Sequence, residues 1–254
     1  MEDKLELLKR RSSVRAFSDV ALSKEEITKL KAEITMINTH QQGFRFQLIT
    51  NDPDPMKGFS ASYGVFRNPR NYMAAVVDPS TPHAYERAGY FAEKFVIKAV
   101  SLGLGTCFVG GTFNEKQVKA QMRAGEKILF IILVGKSGEK EKLAARLMAK
   151  MVHLKKMDAD SFFLPRESVD DAKRKFPILQ AGLEAVSCAP SALNKRPVRI
   201  FVDRVVDKET LCAKVAENDP KLLIDLGIAK YNFNFATSTE CEWGNGSSLM
   251  TELI

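Results

Sequence analysis

The chain has 254 residues, 45% of them hydrophobic and 27% charged, the balance of a soluble globular protein with a sizeable core. Its formal charge of +7 and pI near 9.2 suit anionic ligands such as phosphates. No basic block is interleaved with aromatics and no zinc-finger spacing occurs, so nucleic-acid binding is not expected. Cys107, Cys188, Cys212 and Cys241 lie far apart and form no Cys-x-x-Cys pair, which argues against a metal site or a redox dithiol and for reduced thiols in a cytoplasm. Met1-Glu2-Asp3-Lys4 lacks the features of a signal peptide, and the longest purely apolar run, Ile128 to Val134, is too short to span a bilayer. The expectation is a soluble, cytoplasmic protein with no membrane partner.

In chain order, Leu5, Leu7 and Leu8 open a short helix that runs into Lys9 to Arg15. Ser23 reads as an N-cap with Glu26 as its capping-box partner, and Ile27, Leu30 and Ile34 continue that helix at helical spacing. Phe44 to Ile49 alternates as a strand with one buried face. Asn51 to Arg70 is loop-rich, and Met73 to Val77 is a second strand. Ala88, Phe91, Ala92, Phe95, Ala99 and Leu102 make a broad stripe that predicts a central buried helix, stopped at Gly103-Leu104-Gly105. Thr106 to Gly111 reads as a short strand ending in paired glycines, Asn114 as the start of another helix, and Lys127 to Val134 as a buried strand. Gly138 to Lys156 is basic and helical in pattern, with most of its charges on a solvated face.

Further on, Leu179, Leu183 and Val186 predict a helix and Val198 to Val202 a strand, joined by Ala189-Pro190-Ser191-Ala192-Leu193-Asn194-Lys195-Arg196-Pro197. Two prolines stiffen that connection, which is either a rigid turn or a ligand loop of small residues around one amide. The helix–loop–strand order repeats the one around Leu30, Asn38 to Gln42 and Phe44. Likewise Gly89 to Phe95 leads to Cys107-Phe108-Val109-Gly110 as Gly227 to Tyr231 leads to Cys241-Glu242-Trp243-Gly244. The expected organisation is a duplication, with residues 1–156 as the first half and 157–254 as a shorter second half. Such a chain folds as an internal pseudo-dimer, a monomer doing the work of two subunits, with further dimerisation open.

Arg11, Ser13 and Arg15 place two guanidinium groups and a hydroxyl at alternate positions, on one side of an extended segment, where they suit a phosphate monoester. Gly110 and Gly111 let backbone approach a flat ring. At these residues the sequence resembles the FMN-dependent nitroreductase family, and in particular a branch in which two family-like halves share one chain. Arg11-Ser12-Ser13-Val14-Arg15-Ala16-Phe17 is similar to its Arg-Arg-Ser-x-Arg-x-Phe motif, Leu102 to Gly111 to its LGLGTCWxGG segment, and Ala189 to Pro197 to APSAxNxQP.

The resemblance implies an α+β, nitroreductase-like fold with antiparallel or mixed sheets and packed helices. It implies FMN as cofactor, NAD(P)H as co-substrate and a small-molecule electron acceptor of nitroaromatic or quinone type, reduced in a ping-pong cycle. The cofactor carries that chemistry, so no catalytic side chain and no metal are expected. Alternatives on the same scaffold are a flavin binder without turnover and a dehalogenase-like or flavin-destroying enzyme. Carried over, Arg11, Ser13 and Arg15 hold the phosphate, completed by Lys155 and Lys156 with Lys142 and Arg146 as competitors. Gly110, Gly111, Pro190, Ser191 and Ala192 line the ring, and Asn194 bonds its pyrimidine edge. Arg196 stands where the motif has Gln. The matching loop Asn38 to Gln42, with Phe162 to Arg166 and Trp243-Gly244, lacks a phosphate cradle, so one FMN per chain is expected. His40, His83 and His153 are scattered and expected to be structural or on the surface rather than catalytic.

Overall fold

The computed structural model describes residues 3–58, 61, 65–138, 157–164, 168–205 and 208–250. By backbone contacts the chain forms two compact units. One, here the C-terminal unit, comprises Met1–Lys9, Tyr85–Lys94 and Lys155–Ile254; the N-terminal unit comprises Arg10–Ala84 and Phe95–Leu154.

The described elements run α1 (Lys4–Arg10), α2 (Lys24–His40), β1 (Phe44–Ile49), β2 (Tyr72–Val77), α3 (Ala84–Ser101), β3 (Gly105–Val109), β4 (Lys127–Gly135), α4 (Val169–Lys175), α5 (Leu179–Ser187), β5 (Arg199–Val205), β6 (Lys208–Lys214) and α6 (Pro220–Thr237). The capping box at α2 is formed as the sequence predicts: the Glu26 amide donates to Ser23 Oγ at 3.1 Å, and the Ser23 amide to Glu26 Oε2 at 2.6 Å.

In the N-terminal unit four antiparallel strands lie in the order β1-β2-β4-β3. β2 and, after the exposed Lys127, residues Ile128 to Val134 of β4 are apolar runs because both faces of these central strands are covered, and every residue of β2 is buried. The register pairs Ala75 with Phe130, then slips between Ala75 and Val76, a bulge in the β2–β4 ladder. Phe17, Tyr72, Val76, Ile131 and Leu133 pack together on this sheet.

One expected helix is not there. Asn114 leads only into a single 3-10 turn, Glu115–Gln117. The following backbone is claimed by other partners: the Lys119 amide donates to Tyr72 Oη at 3.1 Å and the Gln121 amide to Gln47 Oε1 at 2.9 Å. A helix would have turned those N–H groups inward, onto its own carbonyls.

In the C-terminal unit β5 and β6 form an antiparallel pair, register Phe201 to Cys212. Beyond β6, Cys212 bridges Ser248 in antiparallel fashion, the Leu249 amide donates to Leu211 O at 2.7 Å, and the Glu242 amide donates to Ser248 O at 2.9 Å. The order of hydrogen-bonded neighbours is therefore β5, β6, residues 247–249, residue 242. It follows the order β1, β2, β4, β3 of the other unit. Phe162, Leu179, Leu183, Ile200, Leu211 and Phe233 form its core. Each such buried side chain contributes about 1.5–3 kcal/mol.

The middle of α3 packs on α6 within this unit. A Cβ added to Gly89 would stand 2.3 Å from the Ile224 carbonyl oxygen, and one added to Gly227 would stand 1.9 Å from the Glu86 carbonyl oxygen. The contact is reciprocal: each glycine meets the residue three before the other. No Cβ fits at either place, which is why both helices carry glycine in mid-helix despite its cost of about 1 kcal/mol against alanine.

Candidate functional site

Within the N-terminal unit, the segment after α1 is pinned by backbone bonds on both sides. Ser13 pairs in parallel with Thr106 of β3, and the Val14 amide donates to Thr106 O at 2.8 Å. The Arg67 amide donates to Arg15 O at 2.9 Å, and the Ser18 amide to Lys136 O at 2.9 Å. A Cβ on Gly105 would lie 2.7 Å from Val14 Cγ2, so the Val14 side chain presses against that glycine. Alternation along an extended segment then turns Ser13 and Arg15 away from it. Arg11, Ser13 and Arg15 are all half-buried. The strand they flank ends at Val109, and Gly110 and Gly111 follow it exposed. Gly111 has a φ of 128°, and among the described residues nothing lies within 4 Å of a Cβ added at either glycine. The structure thus brings the guanidinium–hydroxyl segment and the strand leading into the open Gly-Gly step together in one unit. This donor set, two guanidinium groups and a hydroxyl beside accessible backbone, has the chemistry a phosphate-bearing planar cofactor requires.

The second predicted ligand loop lies in the C-terminal unit, between α5 and β5. It is not a plain turn. Leu193, Asn194 and Arg196 have φ of 52°, 54° and 49°, left-handed backbone that costs a non-glycine residue roughly 1–3 kcal/mol. The loop is stitched from within: the Arg196 amide donates to Ser191 Oγ at 2.8 Å, Arg196 Nε to Asn194 Oδ1 at 3.0 Å, and the Asn194 amide to Ser191 O at 2.9 Å. Because a guanidinium only donates, the bond from Arg196 sets the Asn194 amide with its oxygen toward Arg196. Ala192 is exposed and Leu193 is 75% exposed. Underneath, the carboxylate of Asp225 on α6 accepts from the Ala192 amide at 3.2 and 3.3 Å. Burial, only partly offset by that bond, raises the Asp225 carboxyl to about 7. Asp225 was not visible as a site residue in the sequence, where it is a single acid in a largely apolar helix.

The same helix carries a second buried charge. Lys230 Nζ, fully buried, donates to Glu86 Oε1 at 2.5 Å and to Glu242 O, Gly244 O and Ser247 Oγ at 2.9 Å each. Glu86 Oε2 accepts from the Gly244 amide at 2.8 Å. One ion pair therefore ties α3, α6 and the 242–247 segment. Beside it Tyr90 meets the Trp243 ring edge-on at 5.3 Å, and the Arg87 guanidinium stands over that ring at 5.4 Å.

At the loop matching Ala189–Pro197, α2 continues to His40 and only residues 41–43 precede β1. Asn38 is turned onto the strand: its Nδ2 donates to Phe46 O and its Oδ1 accepts from the Phe46 amide, both at 2.8 Å. Phe162 and Phe163 are buried in the C-terminal core. His83 stands at the N-cap position of α3 with a left-handed φ of 59° and no side-chain capping bond. The candidate phosphate residues Lys155 and Lys156, their competitors Lys142 and Arg146, and also His153, Pro165 and Arg166, lie outside the described residues. All four cysteines are free, and among the described residues no group of three or more His, Cys, Asp or Glu is placed to hold a metal ion. No described helix is long and apolar enough to cross a membrane.

Comparison with known proteins agrees with the architecture. A crystal structure from Thermotoga maritima, described as a "putative nitroreductase", superposes with a TM-score of 0.55 at 18% identity, covering 92% of this chain and 83% of that one. That likeness shows a shared nitroreductase-like α+β fold. An "FMN-dependent Nitroreductase" from Clostridium difficile (20% identity, 59% of this chain, 98% of that one, TM-score 0.43) and a "Putative NADH Oxidase" from Clostridium acetobutylicum (21%, 59%, 99%, 0.44) are too distant to carry an argument about this chain. No curated protein matches the sequence. The model of the family described as "Putative TM nitroreductase" matches residues 3–237, and the chain belongs to that family.

Proposed function

We propose that this protein is an FMN-dependent oxidoreductase that passes electrons from NAD(P)H to nitroaromatic- or quinone-like acceptors in a ping-pong cycle. The observation that carries the reading is the placement of Arg11 to Arg15 along β3, the strand that delivers Gly110 and Gly111. Arg11, Ser13 and Arg15 bind the phosphate, joined by Lys155 and Lys156 on the evidence of sequence alone. Gly110 and Gly111 give the ring access to backbone. Pro190, Ser191, Ala192 and Asn194 are assigned to the ring by their motif. The bound flavin supplies hydride and electron transfer; the protein's part is to fix its position and to place donors where negative charge develops. Protein purified with its cofactor should be yellow and should bleach anaerobically on adding NADH or NADPH. Yellow protein that stays yellow would make it a binder without turnover, and protein that refuses added FMN would remove the reading.

We also propose that the chain is a duplicated pseudo-dimer with one flavin, a monomer in this sense and cytoplasmic. The shared neighbour order of β1-β2-β4-β3 and β5-β6-(247–249)-242, and the reciprocal contact at Gly89 and Gly227, support the duplication. Asn38 spent on Phe46, and Trp243 covered by Tyr90 and Arg87, support the loss of a second site. Titrating apoprotein with FMN is expected to give one equivalent; two would sink the single-site reading. The double change Arg11→Ala, Arg15→Ala removes two charge-assisted contacts worth roughly 1.5–3 kcal/mol each, so FMN affinity should fall by at least about 100-fold. Unchanged affinity would place the phosphate elsewhere.

A further inference from the structure

We propose that Asp225 is the positioning residue of the Ala189–Pro197 loop, its ionised carboxylate holding the Ala192 amide so that Ser191 and Asn194 stay in the ring-facing conformation and flavin retention weakens when Asp225 takes up a proton. The inference rests on the flavin reading given above, but its structural half stands separately. The loop runs through three left-handed non-glycine residues, and a segment in that conformation persists only where its surroundings hold it. The internal bonds among Ser191, Asn194 and Arg196 tie the loop to itself. At its start the loop is tied to α5 by the Ala189 amide, which donates to Val186 O at 3.0 Å; its middle is tied down to α6 by the bond from the Ala192 amide to Asp225, a residue only 5% exposed.

The surroundings explain why charge matters. Asp225 shares a small pocket with Phe162, Val186, Pro190, Val198 and Ala229, all without charge. Arg196 is the charged side chain among the residues lining it, and its Nε is bonded to Asn194. Among the described residues no cation is paired with the carboxylate, so burial dominates and the acid titrates close to neutrality. An ionised carboxylate holds an amide N–H more strongly than a neutral acid does. The pH at which the protein works therefore tunes the anchor. The linkage to overall stability has the opposite sign. Between the ordinary aspartate value and about 7 the folded chain keeps a proton that the unfolded chain has lost, so Asp225 contributes stability at low pH that is lost as pH rises through about 7. Loosening of the loop in acid is thus not general unfolding.

The test compares wild type, Asp225→Asn and Asp225→Ala by two readouts across pH 6 to 8. The first is the hydrogen-exchange protection of the Ala192 amide, corrected for intrinsic rate, in apoprotein. It should fall roughly fivefold from pH 8 to pH 6 in wild type, stay flat in Asp225→Asn, which keeps an acceptor that does not titrate, and be lost in Asp225→Ala. The second is FMN affinity, which should follow the same pattern, with Asp225→Asn showing a flatter pH profile than wild type. Unchanged Ala192 protection in a folded Asp225→Ala protein would overturn the positioning role. So would equal pH profiles for wild type and Asp225→Asn. If protection responds as expected while no variant binds FMN, the anchor stands and the flavin reading falls.

Discussion

Lys230→Met is expected to cost about 3–5 kcal/mol of unfolding free energy, because it removes one member of a buried ion pair while the Glu86 carboxylate stays buried. Glu86 is only 1% exposed, and its Oε1 lies 2.5 Å from the ammonium that the change removes. The carbonyls of Glu242 and Gly244 lose a charged donor in the same step and keep only neutral ones from Ser247 among the described residues. Urea unfolding of wild type and variant measures the loss, and for a chain of this size the melting temperature should drop by on the order of 10 °C. Replacing both members, as in Glu86→Leu with Lys230→Met, should recover part of the loss, since two apolar side chains leave no bare charge. A single change costing under about 1 kcal/mol would mean that the pair does not hold the 242–247 segment.

Gly227→Ala should destabilise at or above the roughly 1–3 kcal/mol of ordinary overpacking. Helix propensity alone argues the reverse, since alanine in mid-helix is worth about 1 kcal/mol more than glycine. Sterics win here because the obstruction is the Glu86 carbonyl at 1.9 Å, main chain of a packed helix that no rotamer can move aside. Gly89→Ala meets the Ile224 carbonyl and should behave alike. Gly110→Ala provides the contrast, since among the described residues nothing lies within 4 Å of its added Cβ, and its stability should stay within about 0.5 kcal/mol of wild type. Equal thermal midpoints for Gly227→Ala and wild type would contradict the close crossing of α3 and α6.

The parts legible in the sequence were those whose signal is local. Ser23 and Glu26 announce a helix start because both partners of the capping box sit within one turn. Ala88, Ala92, Phe95 and Ala99 announce a buried helix because burial repeats at the helical period, and all four are fully buried. Asn114 misled because its neighbours' amides are taken by Tyr72 and Gln47, residues far away in sequence. The site divides in the same way. Arg11, Ser13 and Arg15 could be read as a group from spacing, but their alignment with Thr106 is a tertiary fact. Asp225 and Lys230 gave no signal at all. A lone charge in an apolar helix looks alike whether it meets a loop amide, a counterion or water, and only the fold tells which.

The ion pair between Glu86 and Lys230 also bears on how the chain comes into being. Synthesis runs from the N-terminus, so all four strands of the β1-β2-β4-β3 sheet exist by Gly135. The middle of α3 is by then already made, with Glu86 and Gly89 on the face that α6 will cover. Their partners emerge some 140 residues later, at Ile224, Gly227 and Lys230. Through that interval the face of α3 that carries Glu86 and Gly89 waits for the helix that packs on it. The C-terminal unit is thus not built from one contiguous tail: it takes in a stretch of chain made early, and its α3–α6 packing is complete only once α6 has been made.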